Sequence, residues 1–304
     1  MSCCINIQNI FKLFFRGFYL PGFREYSTFA NMTKYITALT IAGSDCSGGA
    51  GIQADIKTFS ALGCYAASVI TAVTVQNTCG VTAVHPIPAD IVEAQIRSVT
   101  GDLLPAAIKI GMVTDGNIIE AIARSLENYH TTVVFDPVLV SSSGHPLIEK
   151  QALELLRTRL LPLCTLLTPN IPEAEALSDI QIRTDKERVE AGQKILATGC
   201  RAVLIKGGHL PGNDMEDILL TAEAPETAIR FHGKRITSHN THGTGCTLSS
   251  AITAYIARGY NLTDAVKNGK EYLTHALIAG KDIAIGNGCG PLNHFFDPTK
   301  LIIR

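Results

Sequence analysis

The chain reads as an α/β protein whose mostly parallel sheet is covered by helices on both faces, and three observations predict it. From Tyr35 onward, short apolar β-prone runs alternate with stretches of helical periodicity. Glycine-rich turns join strand to helix, and the helical stretches are long enough to serve as crossovers between parallel strands. No linker, low-complexity run or repeat period interrupts the sequence, so residues 32–304 are expected to be one domain.

Taken in order, residues 35–42 form an apolar strand, 43–51 a turn rich in Gly and Ser, and 52–62 a helix that stops at Gly63. Further strands are predicted near 68–75, 107–111, 132–135, 165–168 and 202–206, with helices near 91–99, 117–126, 152–160 and 189–197. Residues 217–235 read as two strands of a hairpin-like edge. Helices starting at Gly245 and Leu262 close the chain.

Composition narrows the partners. The 304 residues are 46% hydrophobic and 17% charged with a formal net charge of -1, so a large core is available and no basic excess exists to hold nucleic acid. Small molecules are the expected ligands. Nine cysteines, odd in number and spread along the chain without a C-x-x-C pair, argue against a disulfide framework and against a zinc site, and a reducing cytoplasm fits them. The apolar stretch 10–23 is broken by Lys12, Arg16, Gly17 and Pro21 and is shorter than the roughly 20 residues a membrane span needs. Residues 1–31 are read as an extension outside the fold, with the natural start near Met32, although the lack of acidic residues before Glu25 also permits an organellar presequence.

Candidate site residues lie where strands of this class end, because ligands bind at the carboxyl edge of such sheets. His242-Gly243-Thr244-Gly245-Cys246-Thr247 precedes an apolar run, so Gly243, Thr244 and Gly245 are expected to turn their amides into one concavity at a helix N-terminus. Cys246 would stand in the first turn, where a thiolate is favoured. The turn from Gly43 to Gly51, with Ala50, invites close approach but has neither the P-loop ending nor the dinucleotide spacing. Asp136 ends a strand before Pro137. Asn170 and Glu173 bracket Pro172, which fits a capping box and equally fits a water-rich Mg²⁺ with nucleotide phosphates. Lys206 offers a cation next to two glycines, and Gln76 a side-chain amide able to read a heterocycle edge.

Together these motifs resemble a known family. Thr40-Ile41-Ala42-Gly43-Ser44-Asp45, Ser47-Gly48-Gly49-Ala50-Gly51-Ile52-Gln53-Ala54-Asp55, Lys109-Ile110-Gly111-Met112, Thr168-Pro169-Asn170, Lys206-Gly207-Gly208-His209 and Asn240 to Thr247 are similar to those of the hydroxymethylpyrimidine/phosphomethylpyrimidine kinases of thiamine biosynthesis, in order over about residues 34–297. The resemblance implies a ribokinase-like three-layer α/β/α fold. It also implies transfer of phosphoryl groups from ATP, with Mg²⁺, to 4-amino-5-hydroxymethyl-2-methylpyrimidine and then to its monophosphate. Gly43, Ala50, Asp55, Gln76, Met112 and Val138 would then bind the pyrimidine. Lys206, Asn170 and Thr241 would serve the nucleotide, Asp136 and Glu173 the metal, and Gly243 to Cys246 the transferred group, with Cys246 in the catalytic position. A homodimer with no membrane or nucleic-acid partner completes the expectation.

Three departures stand out: Cys46 where relatives usually have proline, Ser142 where many have lysine before Ser143-Gly144, and the first 31 residues. A missing lysine bears most on the second phosphorylation, whose acceptor is already anionic. The rival readings are a pyridoxal-type vitamin kinase of the same fold, a thiol hydrolase using Cys246 and His242, and a pyrimidine-binding module without turnover.

Overall fold

A computed structural model describes residues 33–139, 152–208 and 214–304, and residues from Tyr35 to Arg304 cluster as one unit. The strands are β1 (Thr37–Asp45), β2 (Tyr65–Asn77), β3 (Gly80–Pro86), β4 (Ala107–Ile110), β5 (Thr132–Phe135), β6 (Leu166–Leu167), β7 (Ala202–Ile205), β8 (Asp214–Thr221) and β9 (Ala224–Lys234). Among the described residues they make one sheet in the order β3-β2-β1-β4-β5-β6-β7-β8-β9. The six central strands from β2 to β7 run parallel, while β3, β8 and β9 are antiparallel additions at the two edges.

The helices are α1 (Gly51–Ala61), α2 (Ala89–Asp102), α3 (Gly116–Leu126), α4 (Ala152–Leu155), α5 (Ile171–Ser178), α6 (Asp185–Leu196), α7 (Thr244–Ala257) and α8 (Leu262–Gly280). Strand side chains alternate between two cores, as the pleat requires. Leu39, Ile41, Ile108, Ile110, Val133, Phe135, Val203 and Ile205 pack with Val92 and Ile96 of α2, Ile118 and Ile122 of α3, and Ile195 of α6. On the opposite face Ala38 and Ala107 meet Phe59 of α1 and Ala251 and Ala254 of α7, while Val134 and Leu204 meet Leu248 and Ile252 of α7 and Val266 of α8. These are the three layers.

Where the structure differs from the sequence reading, a local cause is visible. β1 runs three residues further than expected, because a bulge after Ala42 lets Ser44 and Asp45 pair with Val73 and Thr74. β3 lacks an apolar face, with no residue buried, so alternation gave no sign of it; its hydrogen bonds to the far half of β2 hold it. The helix expected over 152–160 is α-helical only to Leu155, then widens into a π turn (Leu156–Leu160) and a 3-10 turn (Leu161–Leu163) containing Pro162. The hairpin at the edge is longer than the reading of 217–235, reaching back to Asp214.

Tyr35 bridges Ile303 and its ring stacks at 6.2 Å on Tyr65, so the amino end of the described fold is fastened by its own residues. A chain beginning at Met32 is therefore expected to melt at the same temperature as the full chain; a large drop in melting temperature or solubility would show that residues 1–31 contribute to the fold.

Candidate active site

The carboxyl ends of the parallel strands open into a cleft of about 1500 Å³. Its architecture begins at Asp45, the last residue of β1. One carboxylate oxygen accepts from Ser47 N–H at 2.9 Å and Ser47 Oγ at 2.7 Å, and the other from the N–H groups of Gly49 at 3.1 Å and Ala50 at 2.8 Å. That second oxygen also lies 2.8 Å from His242 Nε2. Burial would raise the Asp45 pKa, but the bonds from His242, Ser47 and Ala50 outweigh it and hold the carboxyl well below the usual range.

His242 leads into α7, and here two loops touch with no space for side chains. Gly243 has φ +85°, and a Cβ on it would stand 2.0 Å from the carbonyl oxygen of Gly49. A Cβ on Gly49 would fall 2.4 Å from His242 Cδ2. No side chain caps α7; Thr244 N–H turns back to the carbonyl of Thr241 at 3.3 Å, which leaves the first-turn amides of Gly245 and Cys246 for an anion, and Thr244, Gly245 and Cys246 all line the cleft.

Across from this helix end, Lys206 Nζ donates to Asp136 Oδ1 at 2.8 Å, which also accepts from Thr168 Oγ1 at 3.1 Å. The neighbouring carboxylates of Asp136 and Glu173 outweigh burial and raise the Lys206 pKa. Glu173 is itself buried, and that burial, with the charge of Asp136, raises its pKa against the pull of Lys206. Asn170 and Glu173 form the capping box: Asn170 Oδ1 accepts from Glu173 N–H at 2.9 Å, and Glu173 Oε2 accepts from Asn170 N–H at 2.8 Å. The capping bonds do not withdraw the pair from the cleft, which both residues line together with Asp136 and Lys206. Two carboxylates that repel each other, next to open space, are the hard oxygen donors that a Mg²⁺ sharing its shell with water and phosphate takes, so the residues present fit that ion.

The predicted pyrimidine residues divide. Gly43, Ala50, Gln76, Met112 and Val138 all line the cleft, with Met112 held by Thr71 Oγ1 donating to its carbonyl at 2.7 Å. Asp55 does not belong with them. It is fully buried beneath the cleft, where one carboxylate oxygen accepts from Thr40 Oγ1 at 2.6 Å and the other from Ser250 Oγ at 2.7 Å, and Lys109 Nζ lies within 3.0 Å of both. A carboxylate saturated in this way has nothing left for a substrate. Thr241 lies at the exposed rim, its hydroxyl 3.3 Å from Cys289 Sγ.

Cys246 requires a second correction. A helix N-terminus was expected to favour its thiolate, yet the thiol is pushed up to about 11, chiefly by burial, with Asp55 and Asp136 adding to it against Lys109 and the N–H of Gly51. Desolvation and two nearby carboxylates outweigh the helix end. His242 offers no remedy, since its Nε2 is turned to Asp45 and Gln76 rather than to the thiol, which leaves the thiol-hydrolase reading without its base. Cys46 hydrogen-bonds the backbone of Gln76, donating to its carbonyl at 3.0 Å, and so ties the glycine-rich turn to β2. Ser142 and the Ser143-Gly144 loop lie outside the described residues. Sequence reasoning gave no role to Asp45 or Lys109 and weighed His242 only as the base of a thiol hydrolase; a buried-pattern strand carrying one lysine, Ala107-Ile108-Lys109-Ile110, was the signal available for Lys109.

Comparison with known proteins gives the family and the fold. The family model for phosphomethylpyrimidine kinase matches residues 45–293. The hydroxymethylpyrimidine/phosphomethylpyrimidine kinase of Escherichia coli is 50% identical over 264 residues, which cover 86% of this chain and 98% of that protein. A crystal structure of phosphomethylpyrimidine kinase from Clostridium difficile superposes with a TM-score of 0.71 at 46% identity, covering 80% of this chain and 99% of that one. An ADP complex of Bacillus subtilis pyridoxal kinase gives 0.78 at 36% identity, covering 86% and 98%. The chain belongs to the phosphomethylpyrimidine kinase family, and its fold is the ribokinase-like α/β fold.

Two outcomes follow from the packing. Asp55→Ala strands the buried Lys109 ammonium and is expected to cost about 3–5 kcal/mol of stability in denaturant unfolding; a change within error would mean that Asp55 is not held in this pair. Gly243→Ala, which forces the two loops apart, should lower turnover by roughly 10²-fold, the scale of an ångström-sized misplacement, while the far-UV spectrum stays unchanged.

Proposed function

We propose that this member of the phosphomethylpyrimidine kinase family transfers the γ-phosphoryl group of ATP to the hydroxymethyl group of 4-amino-5-hydroxymethyl-2-methylpyrimidine, and then phosphorylates the monophosphate. The observation that carries the reading is one cleft holding two unlike ends: the uncapped start of α7 with Lys206, Asp136 and Glu173, and a planar amide at Gln76 flanked by Gly43, Met112 and Val138. The first set suits phosphate charge. The second suits the edge of a heterocycle.

Phosphoryl transfer is chiefly positioning and neutralisation of charge on the transferred group. The amides of Gly245 and Cys246, with Thr244 beside them, face that group in this proposal, and Lys206 adds a full positive charge. Gln76 pairs with the aminopyrimidine edge and so sets the hydroxymethyl oxygen, while Asn170 and Thr241 serve the nucleotide. Asp136 and Glu173 would hold Mg²⁺, which when bound supplies charge neutralisation at the phosphates. Cys246 accepts the proton of the acceptor hydroxyl; its raised pKa makes it a stronger base that is rarely ionised near neutral pH.

The same proposal takes residues 32–304 as the kinase domain, a homodimer as the assembly, and the cytoplasm as the location. Among the described residues no helix is long and apolar enough to cross a membrane. The fit to pyridoxal kinases, at a TM-score of 0.78, favours pyridoxal as a second acceptor. Purified protein given ATP with each alcohol, and then with the pyrimidine monophosphate, tests the acceptor reading: turnover of the pyrimidine alcohol is expected, and turnover of pyridoxal alone would overturn it.

The raised pKa of Cys246 sets the direction of its pH dependence. The thiol predominates below about 11, so a step that needs the thiolate gains about tenfold per pH unit on the way up. Cys246→Ala is expected to lose roughly 10²–10⁴ in turnover and to flatten this slope. A pH-independent rate in the parent enzyme, or near-full activity of the variant, would show that the helix-end amides act without the thiol.

A further inference from the structure

The side-chain amide of Gln76 has one terminal atom 2.9 Å from His242 Nε2 and the other 3.2 Å from Thr74 Oγ1. Which of these is nitrogen and which is oxygen follows from the hydrogens, not from the distances. His242 Nε2 also lies 2.8 Å from Asp45 Oδ2, and a carboxylate so strongly hydrogen-bonded can only accept. The imidazole nitrogen therefore carries the proton, whether the ring is neutral or charged. A nitrogen that donates cannot face the amide NH₂, so the Gln76 atom next to it is Oε1.

The other end of the amide gives the same answer independently. Thr74 Oγ1 is 2.9 Å from the carbonyl oxygen of Ser44, which can only accept, so the single hydroxyl hydrogen points there. Thr74 Oγ1 is left as an acceptor toward Gln76, and the atom it faces is Nε2. One orientation pairs all five groups, with the single Nε2 hydrogen of His242 shared between Asp45 Oδ2 and Gln76 Oε1, and the reverse sets donor against donor at one end and leaves the other end unpaired. The pieces that fix it are immobile: Asp45 is buried and holds four further hydrogen bonds from Ser47, Gly49 and Ala50, while the His242 ring lies against Gly49.

We propose that His242 is a positioning residue that locks the Gln76 amide in one orientation and thereby makes the site selective for a 4-aminopyrimidine over its 4-oxo counterpart. The inference rests on the kinase reading given above. An aminopyrimidine edge offers an N–H donor beside a bare ring nitrogen; a 4-oxopyrimidine edge offers the reverse, an oxygen beside a ring N–H. A free glutamine amide turns over and pairs with either. A locked one pairs with only one and leaves the other with two mismatched, desolvated groups.

The experiment compares kcat/KM for 4-amino- and 4-oxo-5-hydroxymethyl-2-methylpyrimidine at saturating ATP in the parent protein, His242→Phe and His242→Gln. The parent is expected to favour the amino compound by at least about 10²-fold. In His242→Phe, which keeps the ring but has no N–H, that ratio should fall by roughly tenfold or more, with the KM for ATP unchanged. His242→Gln, whose side-chain NH₂ can donate both to Asp45 and to Gln76, should recover part of it. A ratio as large in His242→Phe as in the parent would overturn the proposal.

A readout that needs no turnover accompanies this. In full-length protein with ¹⁵N-labelled histidine and no ligand, the His242 signal, assigned by its loss in His242→Gln, should show a protonated Nε2. An unprotonated Nε2 would overturn the proposal even if the kinetics agreed. Turnover of neither alcohol by the parent would overturn the kinase reading instead, and the nitrogen signal would then judge the Gln76 orientation by itself.

Discussion

Asp45 ends β1 with its carboxylate folded back over the turn that follows, and the cleft takes its shape from the bonds that this one side chain accepts. Four come from Ser47, Gly49 and Ala50, and they wind the glycine-rich turn into a fixed loop. The fifth comes from His242, almost two hundred residues later in the chain, and brings the start of α7 against that loop. Gly49 and Gly243 permit the contact because neither has a side chain to prevent it. A carboxylate can hold so many partners in a buried place only while ionised, which is why its pKa is held low rather than raised by burial.

Charge is arranged in two tiers beneath and within the cleft. Below, Lys109 and Asp55 form a fully buried pair, with Thr40 and Ser250 satisfying the remaining carboxylate positions. Such pairs are costly to break and do little for net stability, but this one puts a fixed ammonium and a fixed carboxylate close to Cys246. Above, Lys206 pairs with Asp136, while burial and the charge of Asp136 push the Glu173 pKa up to about 7. The upper tier is open to the cleft and the lower is not. A substrate's phosphates can exchange with the upper groups, whereas Asp55 has no free lone pair to offer, and this separates a site carboxylate from a structural one more clearly than any motif does.

The fold class, the order of strands and helices, and the family were legible in the sequence because each rests on short-range pattern. Short, nearly continuous apolar runs marked β4, β5 and β7 to within a residue, since both faces of these strands are buried, and the run from Asn240 to Thr247 marked α7 by its glycines and the apolar stretch behind it. β3 was not legible, because an exposed edge strand has no apolar side; backbone bonds to β2 hold it, with Thr82 Oγ1 donating to the Val75 carbonyl at 3.0 Å.

Within the site, the sequence by itself determined which chemical groups were present, down to Gln76, Asp136, Glu173, Lys206 and Cys246. Only the tertiary structure decided what each group faces. Asp55 and Asp45 sit ten residues apart in one motif, yet one is sealed under the sheet by Lys109 and the other reaches across to His242. The Cys246 thiol was expected to be lowered by its helix end and is raised by the burial and carboxylates around it. Protonation, hydrogen-bond direction and access to a ligand all depend on neighbours brought together from distant parts of the chain, and local spacing carries no record of them.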